Sequence, residues 1–397
     1  MKRPSWILAI IVFSQFCGTS LWFASNGIAA DLISDFSLSP GAIGNFTSVV
    51  QLGFILGTLL FALFSVADRF SPSRVFFACA VAGATFNLGL LFNWNNQFSL
   101  MAFRFLTGFF LAGIYPVGMK IAADYFQEGL GKSLGLLVGA LVVGTAFPHL
   151  LRGYSEELPW REIIVFISVV AVLGGLLILV FVPDGPYRKP GSNLNLNASF
   201  KVFKSKHFRS AAFGYFGHMW ELYAFWAFVP VMLRTYLKLH PGTIINIPLF
   251  SFLIIGLGGL ASVSGGYIAN FWGTKNTAAT ALFVSGICCL VSPLVFYTGS
   301  TIVFIGFLIF WGLAVIMDSP LFSTLVAQNA AAELKGTALT IVNSIGFAVT
   351  IISIQLINKI GISEGQIYIY MLLAVGPVLG LFGMVEKKLS GFLRSFV

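Results

Sequence analysis

Three ionisable residues stand inside long apolar runs of this 397-residue sequence: Arg104 in FRFLTG, Glu221 in GHMWELYAFW and Asp318 in MDSPLFS. A charge in the hydrocarbon core of a bilayer costs roughly 2.5–3.5 kcal/mol on insertion scales, so an ionisable residue kept there is a functional candidate by default. His218 lies one helical turn before Glu221 on the same face, with Trp220 and Tyr223 beside them. Desolvation disfavours the charged form of a carboxylate, which eases proton uptake and release. Glu221, Asp318 and His218 are therefore the candidate proton-coupling groups. His218 alone would read as a satisfied interior histidine, and its spacing to Glu221 is what adds it. The alternative is structural, since either carboxylate could pair with Arg104, or with backbone, simply to hold helices together.

Other residues could orient a solute: Trp22, Ser25 and Asn26 in the first apolar run, Arg104 and Tyr115 in the fourth, Trp220 and Tyr223 in the seventh, Ser319 in the tenth and Asn343 in the eleventh. Each has a plainer reading. Trp22 suits a membrane interface, and an intramembrane Asn such as Asn343 can be interhelical glue of about 0.6 kcal/mol. Lys120 and Asp124 read as side chains snorkelling from the end of the fourth span.

The elements that must carry these residues follow from composition. Hydrophobic residues make up 57% of the chain and charged residues only 9%, against roughly 25% charged in soluble domains. Apolar runs near 6–30, 41–65, 75–93, 98–122, 133–154, 162–183, 210–235, 247–271, 277–298, 301–327, 337–358 and 366–385 predict twelve membrane-spanning helices. The net charge of +9 is topological rather than a nucleic-acid footprint. Of the 23 Lys and Arg, 16 fall in alternate loops together with both termini, five fall on the other side, and Arg104 and Lys120 lie within a span. By the positive-inside rule both termini are cytoplasmic in an inner membrane. The first run is too long for a signal-peptide core and is expected to stay. Cys17, Cys79, Cys288 and Cys289 all fall in apolar runs and read as small core residues.

Residues 184–209 form the one long polar, basic segment, which predicts a bundle over 1–183, a cytoplasmic linker over 184–209, and a second bundle over 210–397 with a short cytoplasmic tail. The halves also repeat. Asp68 and Asn270 are 202 residues apart, while Gly108 and Gly312, and Pro116 and Pro320, are each 204 apart. Two similar halves that rock about a central site are the architecture of secondary transporters.

On these residues the sequence resembles the major facilitator superfamily over essentially its whole length. Its loop signature between the second and third spans survives here as Asp68, Arg69 and Arg74, with Ser71-Pro72 where a Gly is usual. The second-half copy keeps Gly266, Gly273 and Lys275 and has Asn270 for the acid. Arg104 followed by Gly, and the Gly-rich fifth span ending at Pro148, fit the same family. The resemblance implies an all-α membrane protein of twelve helices in two pseudo-symmetric six-helix bundles. It also implies that the first, fourth, seventh and tenth spans line a central cavity, placing Arg104, Glu221 and Asp318 around one water-filled space. Asp68, Arg69, Arg74, Asn270 and Lys275 then become gating-loop residues. Charge pairs near a wet surface are worth roughly 0–1 kcal/mol each, weak enough for a rocking equilibrium to break.

There is no Walker loop and no His/Cys cluster, so the expectation is a transporter rather than an enzyme, with no cofactor and no metal. It is expected to move a small polar solute coupled to protons and to work as a monomer in the bilayer; the run GIYPVGMKIAADYF is similar to the fourth span of anion-carrying branches of that superfamily, a resemblance that implies a small anionic solute. Efflux of amphipathic cations is the alternative within transport, favoured by two intramembrane acids and by 42 Phe, though much of that Phe is expected to face lipid. A membrane sensor or enzyme lacks any nucleophile–base pair, and a channel would need no repeated halves.

Overall fold

The computed structural model describes residues 5–39, 41–126, 130–154, 158–188, 202–331, 334–360 and 366–385. Half of the expected linker, 189–201, and the tail after 385, with Lys2, Arg3, Lys189, Lys201, Lys387, Lys388 and Arg394, lie outside them. The regular secondary structure of the described residues is all helical, and its segments follow the expected spans: α1 Ser5–Thr19, α2 Ala24–Gly27 and α3 Ala29–Asp35 in the first; α4 Ala42–Leu63; a short α5 Val66–Arg69; α6 Pro72–Leu88; α7 Gln97–Leu111 and α8 Tyr115–Tyr125 in the fourth; α9 Leu130–Tyr154; and α10 Trp160–Phe181. The second half follows with α11 Lys206–Leu239; α12 Ile247–Gly256 and α13 Gly258–Trp272 in the eighth; α14 Thr274–Phe296; α15 Thr301–Met317 and α16 Ser319–Gln328 in the tenth; α17 Lys335–Ile360; and α18 Val375–Met384, entered through a 3₁₀ turn.

Ten of these segments are long and apolar enough to cross a membrane. The first span contributes an apolar helix of shorter length, Trp6–Thr19, because it is broken. The seventh is one helix of 34 residues, about 51 Å long at 1.5 Å per residue, and its polar residues lower its hydropathy.

Four expected spans are interrupted, and each break has a local cause. In the first, the Thr19 and Ser20 hydroxyls bond back to the carbonyls of Gln15 and Cys17, which competes with the helical ladder. The amides of Leu21 and Trp22 tighten onto carbonyls three residues back. In the fourth, the amides of Ala112, Gly113 and Ile114 do the same, and Pro116 brings no N–H for the next turn. Asp318 occupies the break of the tenth just before Pro320. The eighth breaks at Leu257, among glycines that let helices approach closely.

The repeat has a steric counterpart. A Cβ on Gly108 would fall 2.9 Å from the Cα of Val50, and one on Gly312 would fall 3.3 Å from the carbonyl carbon of Ile254. Ile254 is to Val50 as Gly312 is to Gly108, so both halves build the same close crossing between their second and fourth helices.

The halves meet mainly where α4 packs on α17 and α9 packs on α12 and α13. At the face carrying Asp31, amides fasten them. Gln355 Nε2 donates to Ser48 Oγ at 2.9 Å and Asn45 Oδ1 at 3.2 Å, Asn358 Nδ2 to the Gly41 carbonyl at 3.0 Å, and Asn246 Nδ2 to the Gly153 carbonyl at 3.1 Å. At the opposite face, carrying Asp68, a cavity of about 440 Å³ separates α9, α13 and α16, with Lys132, Ser262, Asn270, Thr324 and Gln328 on its walls. The halves are therefore tied by amide hydrogen bonds at one face and flank a cavity at the other.

Candidate functional site

The two acids and the histidine come together inside the second half. Glu221, at the middle of α11, is fully buried. The Trp311 indole donates to its Oε1 at 2.6 Å, Cys289 Sγ donates to the same oxygen at 3.3 Å, and Ser285 Oγ donates to Oε2 at 2.8 Å. These donors come from α14 and α15, so Glu221 faces the interior of its own half. One turn earlier on α11, His218 Nδ1 lies 2.7 Å from Asp318 Oδ1, and both side chains are fully buried. The break in the tenth span makes this possible by placing Asp318 at the junction of two helices. His218 Nε2 and Asp318 Oδ2 have no hydrogen-bond partner among the described residues, so within them this pair retains one free donor or acceptor at each end.

Arg104 stands elsewhere, which corrects the expectation of three charges around one space. Its guanidinium donates to the carbonyls of Leu21 at 3.0 Å and Trp22 at 2.5 Å, and to Asn87 Oδ1 at 3.1 Å. Asn87 in turn donates to Ser168 Oγ at 3.0 Å. The cause is the broken first span, whose carbonyls have lost helical donors and need new ones, and a planar fork of N–H groups serves two carbonyls and an amide at once. Arg104→Leu should therefore lower stability by at least about 3 kcal/mol, because it strands several buried acceptors. Arg104→Lys should fall between, since an ammonium cannot reproduce the fork. Thermal unfolding of the purified variants in detergent checks both, and an unchanged Tm for Arg104→Leu would count against the clamp.

The remaining candidates divide. Trp22 and Tyr223 stack at 5.8 Å, and each approaches Phe347 of α17, at 5.7 Å and 5.2 Å. Phe54 lies 4.8 Å from Trp22, and Trp226 lies 5.1 Å from Tyr223. These rings form a buried cluster across the junction of the halves. Tyr115 of α8 comes within electrostatic range of Tyr215 and Tyr223 across that junction. Asn26 donates to Thr47 Oγ1 at 2.9 Å and ties the first span to α4. Ser319 and Asn343 are half-buried. Trp220 belongs to packing instead. Its indole donates to the Leu372 carbonyl at 3.0 Å, because position 220 is rotated away from the Glu221 face toward the last span.

The gating-loop residues are placed differently from the expectation. Asp68 pairs with Lys120 at 2.7 Å, not with Arg69 or Arg74, which are exposed. Lys120 therefore is not merely snorkelling. Arg188 closes the loop from behind, donating to the carbonyls of Asp68 and Phe70 at 3.0 and 2.9 Å and pairing with Asp184. These partners lie in the first bundle and at the start of the linker. Asn270 is exposed on the wall of the 440 Å³ cavity, and Lys275 lines a separate hollow with His207 and Asn329.

Sequence reasoning missed Ser285, Cys289, Trp311, Gln51, Trp226 and Phe347. Trp311 had a readable signal, a large aromatic with a ring N–H in the tenth apolar run, seven residues before Asp318. Cys289 was read only as a core residue, and all four cysteines are indeed buried and free.

Comparison with known proteins agrees with this architecture. The 4-hydroxybenzoate transporter PcaK of Acinetobacter baylyi is 24% identical over 46% of this chain and 40% of its own length. The niacin transporter NiaP of the same organism is 34% identical over 31% of this chain and 29% of its own. The chain thus spans well under half the length of these curated relatives in the matched regions. A crystal structure of a variant of the nucleoside transporter NupG superimposes with a TM-score of 0.72, covering 96% of this chain and 98% of that one at 16% identity. The family model of the Major Facilitator Superfamily matches residues 10–354, from the broken first span through the eleventh, and by that match the chain, a multi-pass membrane protein, belongs to this superfamily.

Proposed function

We propose that the chain is a secondary active transporter that moves a small solute by alternating access and couples it to protons through Glu221, Asp318 and His218. It has twelve spans and works as a monomer in the inner membrane, with both termini and the Asp68 face in the cytoplasm. The named solutes of its relatives, 4-hydroxybenzoate and niacin, support a small solute. The observation that carries the coupling is the buried constellation itself. Two carboxylates and an imidazole share one apolar interior, and no Lys or Arg among the described residues pairs with either acid, so a proton is the available neutralising charge. His218 and Asp318 each keep an open polar atom through which a proton can enter or leave.

Uptake into proteoliposomes carrying the purified protein tests this. With 4-hydroxybenzoate or nicotinate outside, an imposed pH gradient should drive accumulation, and an internal pH dye should report proton flux only when solute is present. Accumulation that survives collapse of the gradient by a protonophore would overturn proton coupling. Efflux of amphipathic cations, favoured in the sequence by the two intramembrane acids, gains the ring cluster at the junction. In the same vesicles it predicts proton movement with a lipophilic cation and none with the acids.

A further inference from the structure

The break in the first span gathers buried polar atoms that bind nothing. Around Trp22, seven side-chain atoms lack a hydrogen-bond partner among the described residues: the indole N–H groups of Trp22 and Trp226, Arg104 Nε, both amide atoms of Gln51, Ser25 Oγ and Asn26 Oδ1. Gln51, Arg104 and Trp226 are 0% exposed, Trp22 and Ser25 1%, and Asn26 7%. Buried indole N–H groups normally find a partner, and native structures leave few buried polar atoms unsatisfied. Their parent residues are neighbours. Arg104 holds the Trp22 carbonyl, Gln51 lies one turn from both Thr47, the partner of Asn26, and Phe54, the ring against Trp22, and Tyr223 bridges Trp22 to Trp226.

The chemistry of these atoms selects a ligand. Four of the seven are N–H donors, and one belongs to a guanidinium that pairs with no carboxylate among the described residues. The surrounding surface is rings, contributed by both halves. An aromatic cage also suits a quaternary ammonium, but the buried cation of Arg104 against the Trp22 backbone repels one. We propose that this cluster is a binding subsite for a small planar aromatic carboxylate, with its ring stacked on Trp22 and Tyr223 and its carboxylate taken by the indole, Gln51 and Arg104 Nε donors. Because Trp22 and Gln51 belong to one half and Tyr223 and Trp226 to the other, a ligand here links solute occupancy to closure of the halves. The proposal deepens the transport reading and rests on it for its physiological meaning.

Binding to the wild-type protein in detergent, without any gradient, tests it. Benzoate, 4-hydroxybenzoate and nicotinate are titrated against tryptophan fluorescence and thermal stability, beside benzamide, nicotinamide and benzyltrimethylammonium. At least one acid should quench fluorescence and raise the Tm, with its amide at least about ten-fold weaker, as expected for losing hydrogen bonds to a charged group. Trp226→Phe, which keeps the ring and removes only the N–H, and Gln51→Leu should each weaken the acid about ten-fold without altering the circular dichroism. No binding by any of the three acids at 10 mM-scale concentration, about the limit at which a specific site is measurable, would overturn the subsite. So would amides that match the acids, or the ammonium binding instead. An acid that binds but is not moved in vesicles overturns the transport reading and leaves the subsite standing. An acid that is moved, yet binds both variants like wild type, overturns the subsite alone.

Discussion

Glu221→Gln is expected to reduce uphill, gradient-driven accumulation at least about 100-fold while leaving solute exchange across the membrane within a few-fold of wild type. The prediction depends on how the carboxylate is held. Oε1 accepts from Trp311 and Cys289, so the amide oxygen of Gln must take that place. The amide nitrogen then faces Ser285, whose hydroxyl can turn to the Leu282 carbonyl it already approaches at 3.1 Å and accept from the new N–H. Gln therefore fits the donors with no stranded polar atom, and what it loses is the ability to release and take up a proton. A factor of 100 is the removal of a step worth about 2.7 kcal/mol. Glu221→Ala is a different experiment. It leaves the buried Trp311 N–H without an acceptor and opens a cavity, costing about 2–5 kcal/mol of stability. Comparing the two separates chemistry from scaffold. Accumulation by Glu221→Gln equal to wild type would remove Glu221 from the coupling mechanism.

Gly108→Val is expected to abolish folded protein, where Gly306→Val is tolerated. Both glycines lie in helices of apolar spans, α7 and α15. A Cβ on Gly108 would meet the backbone of Val50 at 2.9 Å or closer, whereas one on Gly306 meets nothing within 4 Å. Backbone cannot move aside by changing rotamer, so α4 and α7 must separate along the tightest crossing in the first half. Even one methyl should reach the upper end of the about 1–3 kcal/mol that overpacking costs, and a branched side chain should exceed it. Small residues at helix crossings are also where membrane helices gain most of their van der Waals contact. Gly312→Val should fail in the same way, because Gly312 abuts Ile254 as Gly108 abuts Val50. Size-exclusion profiles of the three variants in mild detergent read the outcome. A monodisperse peak for Gly108→Val at wild-type yield would contradict the crossing described above.

The sequence by itself determined the membrane class, the helical content and the repeat, for a physical reason. Lipid permits few solutions for a backbone, so runs of apolar residues about twenty long are read as helices with little ambiguity. The Gly108–Gly312 and Pro116–Pro320 spacings marked true structural equivalents, since both pairs fall at the same crossing and the same break. Glu221, His218 and Asp318 were identifiable because ionisable residues in apolar runs are rare. Partnership was not legible in the same way. Periodicity locates a residue on a face of its own helix but does not say which helix that face meets. Trp220, adjacent to Glu221 in sequence, therefore turned out to serve the last span, and Asp68 chose Lys120 over the nearer Arg69.

Tertiary structure alone decided the role of Arg104. Nothing in FRFLTG announces that the first span is broken more than eighty residues earlier, and it is the unpaired carbonyls of that break that claim the guanidinium. The same break leaves Trp22 free to meet Tyr223 and Phe347 from the other half. A continuous first helix, which the apolar run from 6 to 30 suggests, would have kept its carbonyls to itself, left Arg104 without an anchor and built no ring cluster between the halves.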